Sequence, residues 1–221
     1  MARTGRPRTF DKDTAIQQAM TLFWTHGYEA TSLSSLKSAM GDISAPSFYA
    51  AFGSKELLFR EVLARYLASF GQVSASLRDA SLAPRKAIEL TLRRSAKMQT
   101  DASHPSGCLL VLATATCTEE SQDLHDALAD ERRLNSSAML GCVQRAIRNK
   151  ELPKATDAVA LAAMLDSFYL GMTIKARDGA TFDELDRAID QMMGLWDALA
   201  GVSTKKKAAK AGRDRQAAVF S

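Results

Sequence analysis

A run of small and hydroxyl-bearing residues near position 45 offers hydrogen-bonding chemistry rather than bond-making chemistry. Ser44, Ala45, Pro46 and Ser47 are consecutive and slim. A helix that begins with them can therefore enter a groove about 12 Å wide, the width of the major groove of duplex DNA. Tyr49 follows on the same short segment and can place its hydroxyl on a phosphate oxygen.

Other residues nearby are suited to holding phosphate. Thr31 and Ser32 stand where the free N–H groups of a helix start can bind an anion, and Lys55 adds a positive charge in the first turn of a later helix. The first eight residues contain three arginines and no acid. These arginines, which suit an arm that reaches an adjacent groove, are Arg3, Arg6 and Arg8.

The C-terminal end is basic as well. Its six cations, Lys205, Lys206, Lys207, Lys210, Arg213 and Arg215, stand beside one acid, Asp214. The formal net charge is only +4, so the placement of charge at the two ends indicates phosphate attraction better than the total does. Solubility alone is an alternative explanation for the C-terminal tail.

The residues that usually carry catalysis or bind metals are scattered. The three histidines are His26, His104 and His125, and the three cysteines are Cys108, Cys117 and Cys142. They show no metal-ligand spacing, no C-x-x-C pair, no His-Glu-x-x-His, no Gly-x-Ser-x-Gly and no phosphate loop. We expect no enzyme, cofactor or metal; a thiol-dependent enzyme built on Cys108 and His125 is the remaining catalytic alternative.

Composition and cysteine usage predict a cytoplasmic, nucleoid-associated protein. Hydrophobic residues make up 46% of the chain and charged residues 24%, as in ordinary globular proteins. No run of about 18 apolar residues predicts a membrane span, and the start Met-Ala-Arg-Thr-Gly-Arg lacks the apolar stretch of a signal peptide. Three unpaired cysteines favour a reducing compartment.

Helical periodicity recurs along the chain and strand alternation is almost absent, so we expect an all-α fold of about nine helices. The first helix is capped by Asp11, the second by Ser32, and the fourth by Ser54, while the third runs from Ser44 to Phe52. The second and third are short and joined by a tight turn, which is a helix-turn-helix pattern. Phe48 and Phe52 are expected to anchor the third helix to its own core.

Longer helices follow, over about 84–100, 108–116, 122–149, 157–176 and 182–199. The predicted domains are a basic flexible arm (1–9), a three-helix helix-turn-helix domain (10–55), a larger helical ligand-binding and dimerisation domain (56–201) and a basic disordered tail (202–221).

The stretch from Gly5 to about Leu67 resembles the tetracycline-repressor (TetR) family. The residues that carry the likeness are Gly5-Arg-Pro-Arg8, Ala19-Met-Thr-Leu-Phe-Trp24, Gly27-Tyr-Glu-Ala-Thr-Ser32, Leu36, Gly41, Ile43, Pro46-Ser-Phe-Tyr49 and Phe52-Gly-Ser-Lys-Glu-Leu57. The resemblance implies a homodimeric regulator, usually a repressor, that an unknown small-molecule effector releases from a palindromic, double-stranded operator. The family's DNA contacts fall on Thr31, Ser32, Lys37, Ser44, Ala45, Pro46, Ser47, Tyr49 and Lys55, and the arm adds Arg6.

One residue departs from the family pattern. Gly41-Asp42-Ile43-Ser44 is one residue longer than the usual turn, which has Ile directly after Gly. Asp42 either bulges outward or places a carboxylate near phosphate and shifts the register of the third helix.

A dimer is expected on physical grounds, because one short helix reads few base pairs and each wrong pair costs only about 1–3 kcal/mol. Gly171 and Gly194 permit close approach of the last two helices. Their apolar residues, predicted as the dimer interface with internal core as the alternative, are Leu161, Leu165, Phe168, Met172, Leu185, Ile189, Met192, Met193 and Trp196.

A sensor site is expected in the larger domain. Cys108 opens an apolar segment, and neighbouring basic residues (Arg93, Arg94, Lys97 and His104) can lower its pKa and make it a reactive thiolate, as in members of the family that sense electrophiles or oxidants. A plain buried thiol is the alternative. Candidate lining of a ligand pocket, each also interpretable as core, is Leu92, Met98, Leu110, Thr114, Met139, Val143 and Phe168.

Two functions from different classes therefore compete with the enzyme reading. One is a specific, ligand-responsive repressor, and the other is an architectural protein that binds DNA with little sequence preference through its basic ends. A specific regulator protects one palindrome and strongly discriminates against random DNA, whereas an architectural protein binds both alike with the same salt slope.

Overall fold

The computed structural model describes residues 11–113 and 118–201, and over these ranges the chain is helical without strands. The α-helices are α1 (Lys12–His26), α2 (Leu33–Ala39), α3 (Ala45–Phe52), α4 (Lys55–Ala68), α5 (Pro84–Gln99), α6 (Leu109–Leu112), α7 (Gln122–Arg148), α8 (Ala158–Arg177) and α9 (Phe182–Leu199). Two 3-10 helices, Phe70–Arg78 and Glu119–Ser121, precede α5 and α7. The predicted all-α fold is confirmed.

Side-chain caps start the first four α-helices. The Asp11 carboxylate accepts from the Asp13 N–H at 3.0 Å. The Ser32 and Ser54 hydroxyls each accept from the backbone N–H three residues later, also at 3.0 Å. The Ser44 hydroxyl caps α3 in the same way, at 3.2 Å from the Ser47 nitrogen. Each such cap stabilises its helix by about 1 kcal/mol, so the starts of the short helices are fixed locally.

The chain forms two compact units. Among the described residues, the first contains those up to Gln72 together with those between Asp101 and Arg132, and the second contains Val73–Thr100 and those from Arg133 onward. Residues 101–132 thus belong with the N-terminal helices as a compact unit. The domain boundary after residue 55 stays a prediction, and the arm and the tail lie outside the described residues.

Aromatic side chains form the core of the first unit. Phe23 of α1 meets Phe59 of α4 edge to face at 5.0 Å, and Trp24 meets Tyr66 in the same way at 5.0 Å. All four are essentially inaccessible to solvent. Pairs of this geometry add about 0.5–1.5 kcal/mol to the hydrophobic gain of burial, and they fix α1 against α4.

Apolar residues of α5, α7, α8 and α9 form the core of the second unit, with ion pairs joining α5 to α9. Arg85 donates to both carboxylate oxygens of Asp197, at 2.6 and 2.9 Å. Arg93 binds Asp186 and Asp190 of α9 as well as Glu89 of its own helix. Bidentate arginine–carboxylate contacts fix geometry as well as charge, so the α5–α9 register is well defined.

Helix α8 has the length and composition of a membrane span, with 20 residues and a mean hydropathy of 1.3 over an 18-residue window. A core helix meets the same criterion. Leu161, Leu165 and Met172 of α8 are buried in the core of the second unit, which agrees with a core helix.

Candidate nucleic-acid interface

The turn between α2 and α3 accommodates its additional residue through two left-handed backbone conformations. Gly41 has φ 85° and Asp42 has φ 59°. The Gly41 N–H donates to Ser38 at 3.1 Å and the Ile43 N–H donates back to Lys37 at 3.3 Å. Asp42 is exposed, and aspartate tolerates this conformation better than most residues do. The turn therefore carries its carboxylate to the surface beside the start of α3.

Helix α3 has one anchored face and one free face. Phe48 and Phe52 are buried, at 0% and 3% exposure, which confirms the predicted anchors. Ser44, Pro46 and Ser47 are exposed, and Tyr49 is 52% exposed. Ala45, another of the predicted DNA contacts, is half-buried.

The hydroxyls at the start of α3 interact with each other. The Ser44 and Ser47 oxygens are 2.8 Å apart, and Ser44 also caps the helix. A hydroxyl has one donor and two acceptor sites, so both residues keep hydrogen-bonding capacity toward solvent. The start of α3 thus presents small polar groups on a rigid, capped helix end.

Around α2 the predicted contacts divide into exposed and buried residues. Ser32 is exposed and Lys37 is half-buried. Thr31 is only 1% exposed, and its hydroxyl donates to the Gly27 carbonyl at 2.6 Å. The side chain of Thr31 therefore holds the α1–α2 connection together and does not face solvent.

Lys55 lies on an aromatic ring at the start of α4. Its Nζ is 4.2 Å from the centroid of the Tyr28 ring, a distance at which a cation is attracted by the ring face. Burial lowers the pKa of Lys55, and the nearby Glu29 carboxylate raises it in part. The ammonium is thus held in a defined position. The sequence places Tyr28 and Glu29 in a motif that carries the family resemblance, but it assigns neither of them a role.

The predicted residues on α2, α3 and the start of α4 belong to the first compact unit. Arg6 lies outside the described residues, so its predicted contact remains an expectation.

Cys108 belongs to the first unit too, where its Sγ lies 3.2 Å from the Tyr66 hydroxyl. Burial raises the pKa of this thiol, against the smaller lowering effects of Tyr66 and of Arg132. The expected lowering of this pKa is therefore wrong in direction, because desolvation disfavours the thiolate. His104 stacks on Trp24 with centroids 4.7 Å apart, and Arg93 is engaged by α9.

The predicted pocket-lining residues do not form one set. Leu92, Met139 and Val143 are buried in the core of the second unit, whereas Leu110 belongs to the first unit. Met98 and Phe168 are half-buried, and Thr114 lies outside the described residues. A cavity of about 590 Å³ in the second unit has other lining: Ile147, Arg148, Lys150, Glu151, Leu152, Pro153, Lys154 and Ala200.

Most of the predicted dimer interface is internal core. Seven of its nine residues are at most 7% exposed: Leu161, Leu165, Met172, Leu185, Ile189, Met193 and Trp196. The apolar face of α8 and α9 was identified correctly, but it packs inside the second unit. This agrees with the alternative interpretation of these residues as internal core. Phe168 and Met192 are half-buried. The outward faces carry other apolar residues, including Ile174 and Leu195, at 51% and 53% exposure.

Comparison with known proteins gives the family. The model of the bacterial regulatory proteins of the tetR family matches residues 15–62, and that of a tetracyclin repressor-like C-terminal domain matches residues 85–192. The HTH-type transcriptional repressor ComR of Escherichia coli strain K12 is 35% identical over 200 residues, which cover 88% of this chain and 93% of that protein.

Solved structures agree with this assignment. A cysteine mutant of the TetR-family regulator CifR, in complex with 26-base-pair operator DNA, has a TM-score of 0.77 and 39% identity, with 86% of this chain and 100% of that one covered. A TetR regulator from Rhodococcus sp. RHA1 has a TM-score of 0.56 and 32% identity, covering 82% of this chain and 96% of that one. Regulators of this family are soluble cytoplasmic proteins and not enzymes. The chain belongs to the TetR family and is a DNA-binding transcriptional repressor.

Proposed function

We propose that this protein is a homodimeric, nucleoid-associated repressor that reads a palindromic operator with α3 and is released by a small-molecule ligand or by thiol modification. The observation that carries the proposal is the exposed face of α3. Ser44, Ser47 and Tyr49 are exposed to solvent, while Phe48 and Phe52 on the same helix are buried and anchor it. Specific reading requires such rigidity, because a side chain must meet a base or phosphate at a fixed distance.

The proposed DNA contacts fall into two groups. Ser44, Pro46, Ser47 and Tyr49 enter the major groove or its edge, where slim residues allow close approach. Phosphates are held by cations and hydroxyls around this helix, namely Lys37, Lys55, Ser32, the Tyr49 hydroxyl at the groove edge and, from the arm, Arg6. Ala45 contributes small size, and Thr31 contributes by holding the α1–α2 connection.

The proposed dimer surface is the outward face of α8 and α9. Ala160, Ala163, Ser167, Gly171 and Ile174 are exposed and uncharged, and successive members are three or four residues apart. Residues at this spacing share one face of a helix. On α9 this stripe is matched by exposed Leu195 and Leu199, at 53% and 46% exposure. A contiguous uncharged face of this kind is typical of a protein interface.

Release by a ligand or by modification of Cys108 follows from linkage. An effector weakens operator binding only by the difference in its affinity for the two conformations. An adduct on Cys108 adds volume beside the buried Tyr66 ring, and packed cores accommodate added volume by shifting backbone. N-ethylmaleimide should therefore weaken operator binding by the wild type and leave Cys108→Ser unaffected. Operator binding that the reagent leaves unchanged in the wild type would leave ligand binding as the route of release.

Selection of duplexes from a random library, followed by competition at physiological salt, tests the proposed function. A specific repressor enriches one palindrome and prefers it over random duplex by about 10³-fold or more. Binding selected and random duplexes alike, with equal salt slopes, would instead identify an architectural DNA-binding protein.

A further inference from the structure

Glu29, in the connection between α1 and α2, accepts three hydrogen bonds from a stretch of chain about 90 residues away. Its Oε1 accepts from the backbone N–H and from the hydroxyl of Thr118, each at 3.1 Å. The Ser121 hydroxyl donates to the same oxygen. Hydrogen bonds to an ionised acceptor are about twice as strong as neutral ones, and those from Ser121 and Thr118 lower the pKa of the Glu29 carboxyl.

The two residues before Glu29 reinforce this attachment through the backbone. The Tyr28 N–H donates to the carbonyl of Ala113, the residue that follows α6, at 2.8 Å. Gly27 suits this position because its φ of 82° is unfavourable for other residues. The connection is therefore attached to the chain on both sides of residues 114–117.

The ring of Tyr28 contacts Lys55. The Lys55 Nζ is 4.2 Å from the Tyr28 ring centroid. That ring is itself held by Phe59, edge to face at 5.2 Å, and by Phe23 at 5.8 Å. Glu29 adds electrostatic attraction to the Lys55 ammonium. The location of Tyr28 and Glu29 thus determines where Lys55 presents its charge.

We propose that Glu29 is a positioning residue for DNA binding, which acts by tying Tyr28 and hence Lys55 to the Thr118–Ser121 segment. The inference rests on the proposed function, in which Lys55 contacts an operator phosphate. Glu29 itself touches no DNA: its negative charge would repel phosphate, and its carboxylate is already occupied by Thr118 and Ser121. Releasing that carboxylate removes one of the contacts that hold the connection, together with the attraction of Glu29 for the Lys55 ammonium, so the ammonium is positioned less firmly.

The second unit supplies a matched control in Glu184. Its Oε2 accepts from the N–H and the hydroxyl of Thr181, at 2.7 and 2.9 Å. Like Glu29, Glu184 accepts from the backbone N–H and the hydroxyl of one threonine, but it lies in the second unit, whereas Lys55 lies in the first. Glu184→Ala therefore removes a comparable carboxylate contact away from Lys55. Comparing it with Glu29→Ala separates loss of a stabilising contact from loss of DNA positioning.

The test measures thermal midpoint, affinity for the library-selected palindromic duplex, and the salt dependence of that affinity. Both alanine variants should lower the midpoint, but only Glu29→Ala should weaken duplex binding, by about tenfold. The variant Glu29→Ala/Lys55→Gln should bind no more weakly than Lys55→Gln alone, since both substitutions act through one ammonium. Ser121→Ala, which removes one of the three donors to Glu29, gives a milder version of the same result if Glu29→Ala folds poorly.

Two results would overturn the proposal. One is equal duplex affinity in Glu29→Ala and Glu184→Ala, which would make Glu29 a stabilising residue only. The other is full additivity of Glu29→Ala and Lys55→Gln, which would mean that Glu29 does not act through Lys55. Failure of the wild type to prefer the selected duplex is a separate outcome that contradicts the proposed function, and with it this inference.

Discussion

Replacing Tyr49 with phenylalanine isolates one proposed contact between α3 and DNA. The side chain is 52% exposed, and its ring meets Phe48 edge to face at 5.7 Å. Tyr49→Phe keeps that ring contact and removes only the hydroxyl. We therefore expect the free energy of unfolding to change by less than about 0.5 kcal/mol.

The expected loss in DNA affinity is larger, because two copies of the contact are removed from a dimer. A hydrogen bond to a charged group contributes about 1.5–3 kcal/mol, and water recovers part of this. A net loss of about 1 kcal/mol for each half-site gives about 2 kcal/mol in total, or about thirtyfold in Kd. The salt slope should not change, because a neutral hydroxyl releases no counterion.

Fluorescence anisotropy on the selected duplex at several salt concentrations measures both quantities, and thermal unfolding checks the fold. Unchanged affinity in Tyr49→Phe, together with unchanged affinity when Lys55 is replaced by alanine, would refute the assignment of α3 and the start of α4 as the reading surface. A weakened variant with a changed salt slope would show that loss of the hydroxyl also removes a cationic contact to phosphate.

Three further predictions address charge, assembly and pH. Lys55→Gln should lower the salt slope of duplex binding by about 2 for a dimer with one phosphate contact in each half; an unchanged slope excludes that contact. A Cβ added at Gly171 on α8 or at Gly141 on α7 meets no atom within 4 Å, so a glutamate at either position should leave the fold intact. Light scattering should show a monomer for Gly171→Glu and a dimer for the control Gly141→Glu. A dimer in both cases would place the interface on another surface. For Glu89, burial raises the pKa of the carboxyl. The hydrogen bond from Arg93 and the surrounding positive charges together lower that pKa by more than burial raises it, so it lies below its usual value of 4.5. This contribution to stability is present above the unfolded-state pKa and is lost as pH falls through the lower folded-state value; Glu89→Gln should therefore flatten the acid limb of a pH series of thermal midpoints, and an unaltered limb would contradict the assignment.

Local features of the fold were predictable from the sequence because their causes are local. Asp11, Ser32 and Ser54 cap helices in the structure as expected, since a cap requires only a short polar side chain and the backbone two or three residues onward. Phe48 and Phe52 were assigned correctly as anchors for the same reason: their spacing places them on one face of α3.

Features that depend on packing between distant segments were not predictable. Periodicity identified the apolar face of α8 and α9, but it did not tell whether that face meets another copy or the interior, and Leu165 and Ile189 proved to be interior. Basic neighbours in the sequence suggested a reactive Cys108, whereas burial raises the pKa of its thiol. The hydrogen bond between Glu29 and Ser121 joins residues 92 positions apart, and no local pattern marks such a pair.

Chemical footprinting of guanine N7 on the selected duplex tests the central claim most directly, because N7 faces the major groove. The account predicts two symmetric protected patches whose centres lie about one helical turn, or a whole number of turns, apart. It also predicts that Tyr49→Phe reduces protection in both patches equally. Absence of N7 protection, a single patch, or uniform protection along the duplex would contradict insertion of α3 as one of a symmetric pair.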